Sequence, residues 1–86
     1  MDMQAKETTR EAYLLFIELY AGKNTITEQE AQSEISQSDF LTNLHNLHER
    51  HMAGEFTASK FADLLGVPAL NLYDLLELLE LPVRYY

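Results

Sequence analysis

Apolar residues recur at steps of three and four along most of the chain, which is the spacing of helices. Five helices are predicted, over residues 4–21, 28–34, 39–52, 58–65 and 69–81. No segment alternates apolar and polar residues for long enough to predict a strand. Glycine and proline separate the segments, because both interrupt regular helices. The pattern therefore predicts an all-α, compact five-helix bundle that forms a single domain over residues 1–86.

Hydroxyl side chains mark where three of these helices begin. Thr25 and Thr27 each precede a glutamate by three residues. That is the spacing of a capping box, so the second helix is expected to begin here. Ser36 or Ser38 can cap the third helix, and Thr57 can cap the fourth.

The first and fifth predicted helices are apolar on nearly every side, and Gly22 is expected to end the first. An 86-residue chain has too little interior to cover two such helices fully. Part of this surface is therefore expected to be exposed or to lie at an interface, unless helix 28–34 and the aromatic tail fold over it. A homodimer interface is predicted on the first helix, at Tyr13, Phe16, Ile17 and Tyr20.

Residues 57–81 carry the spacing of a helix–turn–helix unit. Ala62 is small where the second helix would cross the first, and Gly66 permits a sharp turn four residues later. Val67 follows as an apolar plug. The buried face of the second helix is predicted at Leu72, Leu75 and Leu76. Two ordinary helices joined by a short turn are the alternative.

The segment over residues 54–86 resembles the C-terminal part of a family of small uncharacterised prokaryotic proteins. In that family an A-x-x-x-G helix–turn–helix is followed by L-x-x-L-L, a Pro-Val pair and aromatic residues. The matching positions here are Ala62, Gly66, Leu72, Leu75, Leu76, Pro82, Val83, Tyr85 and Tyr86. Members are regarded as antitoxin-like partners of PIN-domain-type toxins, with a proposed DNA-binding role. The resemblance implies a regulatory protein, prokaryotic or from a phage, that binds a toxin-like partner.

A degenerate first copy of the unit is a further hypothesis. Residues 21–44 can be laid over residues 53–76, and Glu34 then stands opposite the turn residue Gly66. Short helical pairs also resemble each other by chance, so a repeat and a coincidence both stay open.

The chain is strongly acidic, with a net charge of −8 from 14 acidic and 6 basic residues. Nucleic-acid binding draws on clustered Lys and Arg, whereas the six cations here are scattered. The fifth predicted helix has no cation at all, so it would bring carboxylates against phosphates. Nucleic acid is therefore not expected to bind the monomer. The acidic excess fits either ordinary solubility or a surface suited to a basic partner.

A protein-binding surface is predicted on the fifth helix instead. Its leucine-rich face would dock in a groove of the partner, while its acids pair with basic residues there. Tyrosine and arginine are enriched at interface hot spots. The predicted contact residues are Leu70, Tyr73, Asp74, Glu77, Glu80 and Arg84. The expected partner is a basic protein such as a nuclease or toxin, and the expected role is antitoxin-like or inhibitory.

A dimeric DNA-binding transcriptional regulator is the alternative function. It would dimerise through the first helix and read bases from the third. The reading residues would be Gln37, Ser38, Thr42 and Asn43, whose amides and hydroxyls suit base contacts.

No catalytic, cofactor or metal site is predicted. His45, His48 and His51 lie three residues apart on one helix, but steps of three drift around it and do not converge on one ion. The carboxylates are spread over helix faces, and no phosphate loop or nucleophile elbow is present. The absence of cysteine and of an N-terminal apolar segment fits a cytoplasmic protein with no membrane attachment.

Overall fold

The computed structural model describes the backbone of residues 2–83 and the side chains of residues 8–83. Five helices follow one another: α1 (Asp2–Asn24), α2 (Glu28–Glu34), α3 (Gln37–Met52), α4 (Ala58–Leu65) and α5 (Ala69–Leu78). Residues 2–83 contain no strand. The predicted all-α bundle of five helices is confirmed.

The longest helix, α1, is the one on which most of the others assemble. It packs on α2, α3 and α5, while α4 packs on α3 and α5. Its 23 residues make it about 35 Å long at roughly 1.5 Å per residue. The molecule measures 36 × 34 × 19 Å, and the shortest of these dimensions is about two helix diameters. The bundle is therefore a flat slab of two helical layers.

The core is apolar except for one histidine among the described side chains. Phe16 and Phe40 stack with ring centroids 4.5 Å apart where α1 meets α3. His51 is fully buried, and its Nδ1 donates a hydrogen bond of 3.0 Å to the carbonyl oxygen of Phe56. That bond satisfies a polar group that would otherwise destabilise the interior.

The beginnings of the helices follow the sequence closely. Thr27 and Glu30 form a complete capping box at the start of α2. Ser36, rather than Ser38, caps α3, so this helix begins two residues before its predicted start. Thr57 caps α4 as predicted.

The end of α1 differs from the prediction, because the helix continues through Gly22 to Asn24. The residue that takes the left-handed conformation is Thr25, with φ 57°. The N–H of Ile26 closes the end by donating to the carbonyl oxygen of Ala21 at 3.0 Å. Thr25 therefore forms no capping box, and its β-branched side chain makes the positive φ unfavourable by about 1–2 kcal/mol.

The end of α5 also differs, since the helix stops at Leu78 instead of residue 81. Glu80 takes the left-handed conformation with φ 56°. The N–H of Leu81 then donates to the carbonyl oxygen of Leu76 at 2.8 Å, which is the Schellman closure. Pro82 follows the end of this helix and does not cause it.

Two helix pairs that align in sequence are connected in different ways. Residues 66–68 join α4 to α5, and these two helices pack directly on each other. Ile35 and Ser36 join α2 to α3, and Ile35 is extended with φ −131° and ψ 112°. Over their described lengths α2 and α3 do not pack together. The hypothesis of a degenerate first helix–turn–helix is therefore not supported, because the two helices of that copy make no contact.

Candidate interaction surface

One face of α5 is exposed and combines apolar with acidic side chains. Leu70 is 83% exposed and Tyr73 is 36% exposed. Asp74 and Glu77 are exposed as well, at spacings that put them on the same side of the helix. We call these four residues the α5 face. Arg84, which was also predicted to contact the partner, lies outside the described residues.

A shallow groove of about 570 Å³ begins at the C-terminal end of the α5 face. The residues that line it are Tyr73, Leu76, Glu77, Glu80, Leu81, Pro82 and Val83. The groove thus combines an aromatic ring, two carboxylates and an aliphatic floor. This lining suits a long cationic side chain, whose stem packs on apolar groups while its head meets carboxylates and an aromatic ring.

The wall of the groove at residues 81–83 is held in place from α3. The imidazole of His48 donates a hydrogen bond of 2.7 Å to the carbonyl oxygen of Pro82. Leu81 and Val83 are half-buried against the core. Sequence reasoning missed this role of His48, because the spacing of the three histidines along α3 carries no information about a contact with a residue 34 positions away.

Glu80 places a carboxylate at the groove in a strained backbone conformation. Its φ of 56° lies in the left-handed region, where glycine is the preferred residue at this position of a helix end. A non-glycine residue there costs about 1–2 kcal/mol. Strained residues that persist are concentrated at functional sites. Thr25 has the same conformation at the end of α1, so the strain accompanies a helix end in both places and does not by itself assign a role to the carboxylate.

The electrostatic field at this surface is negative. Residues 69–83 contain three carboxylates and no lysine or arginine. The ion pairs found among the described side chains lie elsewhere, between Lys23 and Asp63 at 3.4 Å and between Arg50 and Glu55 at 3.1 Å. Within residues 69–83, no lysine or arginine competes for these carboxylates, so a cationic group of a partner would be attracted here.

The apolar part of the surface is smaller than the sequence indicated. Of the seven leucines of the predicted fifth helix, only Leu70 is fully exposed. Those at 72, 75 and 76 are buried, and those at 78, 79 and 81 are half-buried. The chain itself covers them, through α1, α4 and the returning segment 81–83. Helix α2, which was also predicted to fold over exposed apolar surface, packs on α1.

The predicted dimer interface on α1 is wrong for two of its four residues. Phe16 and Ile17 are 1% and 0% exposed, because they fill the core of the chain itself. Tyr13 is half-buried, and its hydroxyl donates a 2.7 Å hydrogen bond to the carbonyl oxygen of Ile35. Tyr20 is also half-buried on this inner side. The sequence could not show which side of a helix with so broad an apolar surface faces inward.

The residues of the DNA-reading alternative lie in the first half of α3. Ser38, Thr42 and Asn43 are exposed, and Gln37 is half-buried. Residues 37–47 contain no lysine or arginine. Within this stretch, the release of counterions that drives most DNA binding therefore has no source.

The three histidines of α3 have different surroundings. His45 is exposed, His48 bonds to the carbonyl of Pro82, and His51 is buried in the core. Among the described side chains, no group of three or more His, Cys, Asp or Glu residues is arranged to hold a metal ion.

Comparison of the chain with known protein families, with curated proteins and with solved structures finds no match. In the described part of the chain, no helix combines the length and the apolar character needed to cross a membrane. The functional interpretation therefore depends on the α5 face and the groove beside it.

Proposed function

We propose that this chain is a small, non-enzymatic regulatory protein that binds a basic protein partner through the α5 face. The observation that carries the proposal is the combination of exposed Leu70 and Tyr73 with the carboxylates of Asp74 and Glu77 on one side of a helix. Burial of the apolar groups supplies affinity. The carboxylates supply orientation and the choice of a cationic partner.

The proposed mechanism is occlusion of a basic surface on the partner. A nuclease or a nucleic-acid-directed toxin has such a surface, because it must bind phosphates. The carboxylates of the α5 face would take the places of those phosphates, so that the partner cannot bind its substrate. This role, exercised in the cytoplasm, is the one that the resemblance of residues 54–86 to antitoxin-like prokaryotic proteins implies.

The groove beside Tyr73 gives the proposal a specific contact. An arginine or lysine side chain of the partner would lie along the groove, with its head between Glu77 and Glu80. Contact with the ring of Tyr73 would add a cation–π interaction of about 0.5–2 kcal/mol. The bond from His48 to Pro82, at 2.7 Å, keeps the opposite wall in place for this side chain.

The test measures binding of a synthetic amphipathic peptide of leucine and arginine, by titration calorimetry at several salt concentrations. We expect affinity that falls as salt rises, and a loss of about tenfold or more, or about 1.4 kcal/mol, in Leu70→Asp and Tyr73→Ala. Leu64→Asp is the matched control, because Leu64 on α4 is also exposed, at 44%. It should leave affinity unchanged.

Two results would contradict the proposal. One is an affinity that is the same in Leu70→Asp, Tyr73→Ala and the unaltered chain. The other is stronger binding of duplex DNA than of the peptide in a gel shift at low salt, where phosphate binders associate most tightly. The second result would favour the DNA-reading alternative, and Asn43→Ala would then be expected to weaken the complex.

Glu80 allows binding and stability to be separated. Glu80→Gly removes both the carboxylate and the strain, so it should weaken peptide binding while it raises the free energy of unfolding by about 1 kcal/mol. Glu80→Gln removes only the charge, so it should weaken binding without that gain. Equal binding by both variants and the unaltered chain would remove Glu80 from the proposed site.

A further inference from the structure

The side of α1 that faces away from the bundle carries a stripe of uncovered residues. Leu14 is 43% exposed, and Glu11, Glu18 and Gly22 are exposed too, so that the four residues follow one another at steps of three, four and four. Leu15 and Leu19 are half-buried along the edge of the stripe. We call these six residues the outer stripe. It shares no residue with the α5 face.

A second groove, of about 500 Å³, lies along the C-terminal part of the outer stripe. Its lining is formed by Glu18, Leu19, Gly22, Lys23 and Pro68. Most of the surface of this groove is apolar. A carboxylate and an ammonium group lie among its lining residues, five positions apart along α1.

Among the described residues, no close contact requires a glycine at position 22. Gly22 lies inside α1, where glycine is less favourable than alanine by about 1 kcal/mol. A Cβ atom added to it would meet no atom within 4 Å. A small residue at this position would instead allow the close approach of a second helix from outside.

The charges of the groove are complementary to those of the same groove on another molecule. In an antiparallel pair of α1 helices related by a two-fold axis between residues 20 and 21, residue i lies opposite residue 41 − i. Glu18 then faces Lys23 of the other copy, and Leu19 faces Gly22. A surface that pairs with itself in this way is what a symmetric dimer requires.

Lys23 can take a second carboxylate in this arrangement. Its ammonium group donates to Asp63 at 3.4 Å and to the carbonyl oxygen of Val67 at 3.2 Å. An ammonium has three N–H donors, so these two contacts leave one more. The side chain is 37% exposed, which keeps it within reach of a second molecule.

We propose that the C-terminal part of the outer stripe, at Glu18, Leu19 and Gly22, binds a second copy of the chain, with the two α1 helices antiparallel and Glu18 of each paired with Lys23 of the other. In this register the two helices face each other only over residues 17–24, about two turns, which is less than the roughly 800 Å² per partner of a standard interface requires. The dimer is therefore weak and depends on concentration. The proposed contact residues are not those of the α5 face, so the dimer does not depend on the proposed function.

The test uses the charge reversals Glu18→Lys and Lys23→Glu in the full chain, followed by sedimentation velocity. The unaltered chain should move from a mass of 9.9 kDa toward twice that value as concentration rises. Each variant alone should dimerise at least about tenfold more weakly, because like charges then face each other. An equimolar mixture of the two variants should regain dimerisation, because every facing pair is again of opposite charge.

Gly22 supplies an independent variant. Gly22→Leu should block dimerisation while circular dichroism shows a folded chain, because the added side chain points into open space in the monomer. The proposal is overturned if the unaltered chain stays monomeric at millimolar concentration. It is also overturned if the mixture of charge variants dimerises no better than either variant alone.

Discussion

The α2–α3 pair and the α4–α5 pair begin with the same local pattern and end in different packing. In each, a threonine caps the first helix and a buried alanine, Ala31 or Ala62, lies inside it. Only α4 and α5 then pack on each other, whereas α2 and α3 are held separately by α1. The shared pattern therefore determines that helices form, but it does not determine how they meet.

The difference arises at the turns. Gly66, with φ 94°, turns the chain sharply enough for α5 to return along α4. Ile35 is extended and carries α3 away from α2. One residue of α1 contacts both pairs, because the hydroxyl of Tyr20 donates to Glu34 at 3.4 Å and its ring lies against Gly66. A self-packed pair covers its own inner faces, which leaves the outer side of α5 exposed.

The largest expected effect in this comparison is at the turn of the second pair. A Cβ atom on Gly66 would lie 2.9 Å from two ring atoms of Tyr20, and the backbone φ is already left-handed. Gly66→Ala should therefore lower the free energy of unfolding by about 2–4 kcal/mol, measured by urea denaturation. Glu34→Ala, at the aligned position, should change it by less than about 0.5 kcal/mol. Equal losses would show that the two turns bear the same constraint.

One residue before each pair takes the left-handed conformation, and here the strained residue belongs to the first pair and the glycine to the second. Thr25 holds a left-handed conformation before α2, and Gly54 holds one, with φ 86°, before α4. Thr25→Gly should raise the free energy of unfolding by about 1 kcal/mol, and Gly54→Ala should lower it by a similar amount. Thermal unfolding of both variants measures the two effects. A loss of stability in Thr25→Gly would mean that its side chain stabilises the turn by more than the strain.

The caps of the two pairs offer a smaller contrast. Glu30 completes the capping box of α2, whereas Lys60 occupies the equivalent position of α4 and contributes only its backbone N–H. Lys60→Glu should complete the second box and raise the free energy of unfolding by about 0.5 kcal/mol. Glu30→Lys should lower it by a similar amount. The prediction fails if chemical denaturation gives both variants a change of the same sign.

The smallest effect concerns pH and arises where Tyr20 of α1 contacts Glu34 of the first pair. Burial raises the pKa of Tyr20 above its ordinary value of 10.0, and the charge and hydrogen bond of Glu34 raise it further. A raised pKa in the folded chain favours the neutral phenol. This contribution to stability is therefore present below pH 10 and lost as pH rises through the folded pKa.

Unfolding in urea at a series of alkaline pH values would measure this effect. Tyr20→Phe should remove the part of the pH dependence that Tyr20 causes, and Glu34→Gln should reduce it. A pH dependence that is unchanged in Tyr20→Phe would assign it to other groups. Gly66 contacts the ring of the same tyrosine but not its hydroxyl, so the second pair is not expected to contribute to this pH dependence.

Much of the α5 face could be predicted because helical spacing is a local property. Leu70, Tyr73, Asp74 and Glu77 follow one another at steps of three, one and three, so any helix through them places them on one side. The groove beside them could not be predicted in the same way. One of its walls depends on the bond from His48 to Pro82, which joins residues 34 positions apart.

The sequence by itself determined the number of helices, the caps of α2 and α4 and the sharp turn at Gly66, because each depends on a few neighbouring residues. Tertiary structure decided which side of α1 is buried, as Phe16 and Ile17 show, and where α1 and α5 end. Thr25 and Glu80 carry no preference for the left-handed conformation, so packing of the surrounding helices must impose it. Contacts between distant segments outweigh local preferences there, since burial of a whole helix face stabilises the fold by more than one strained residue costs.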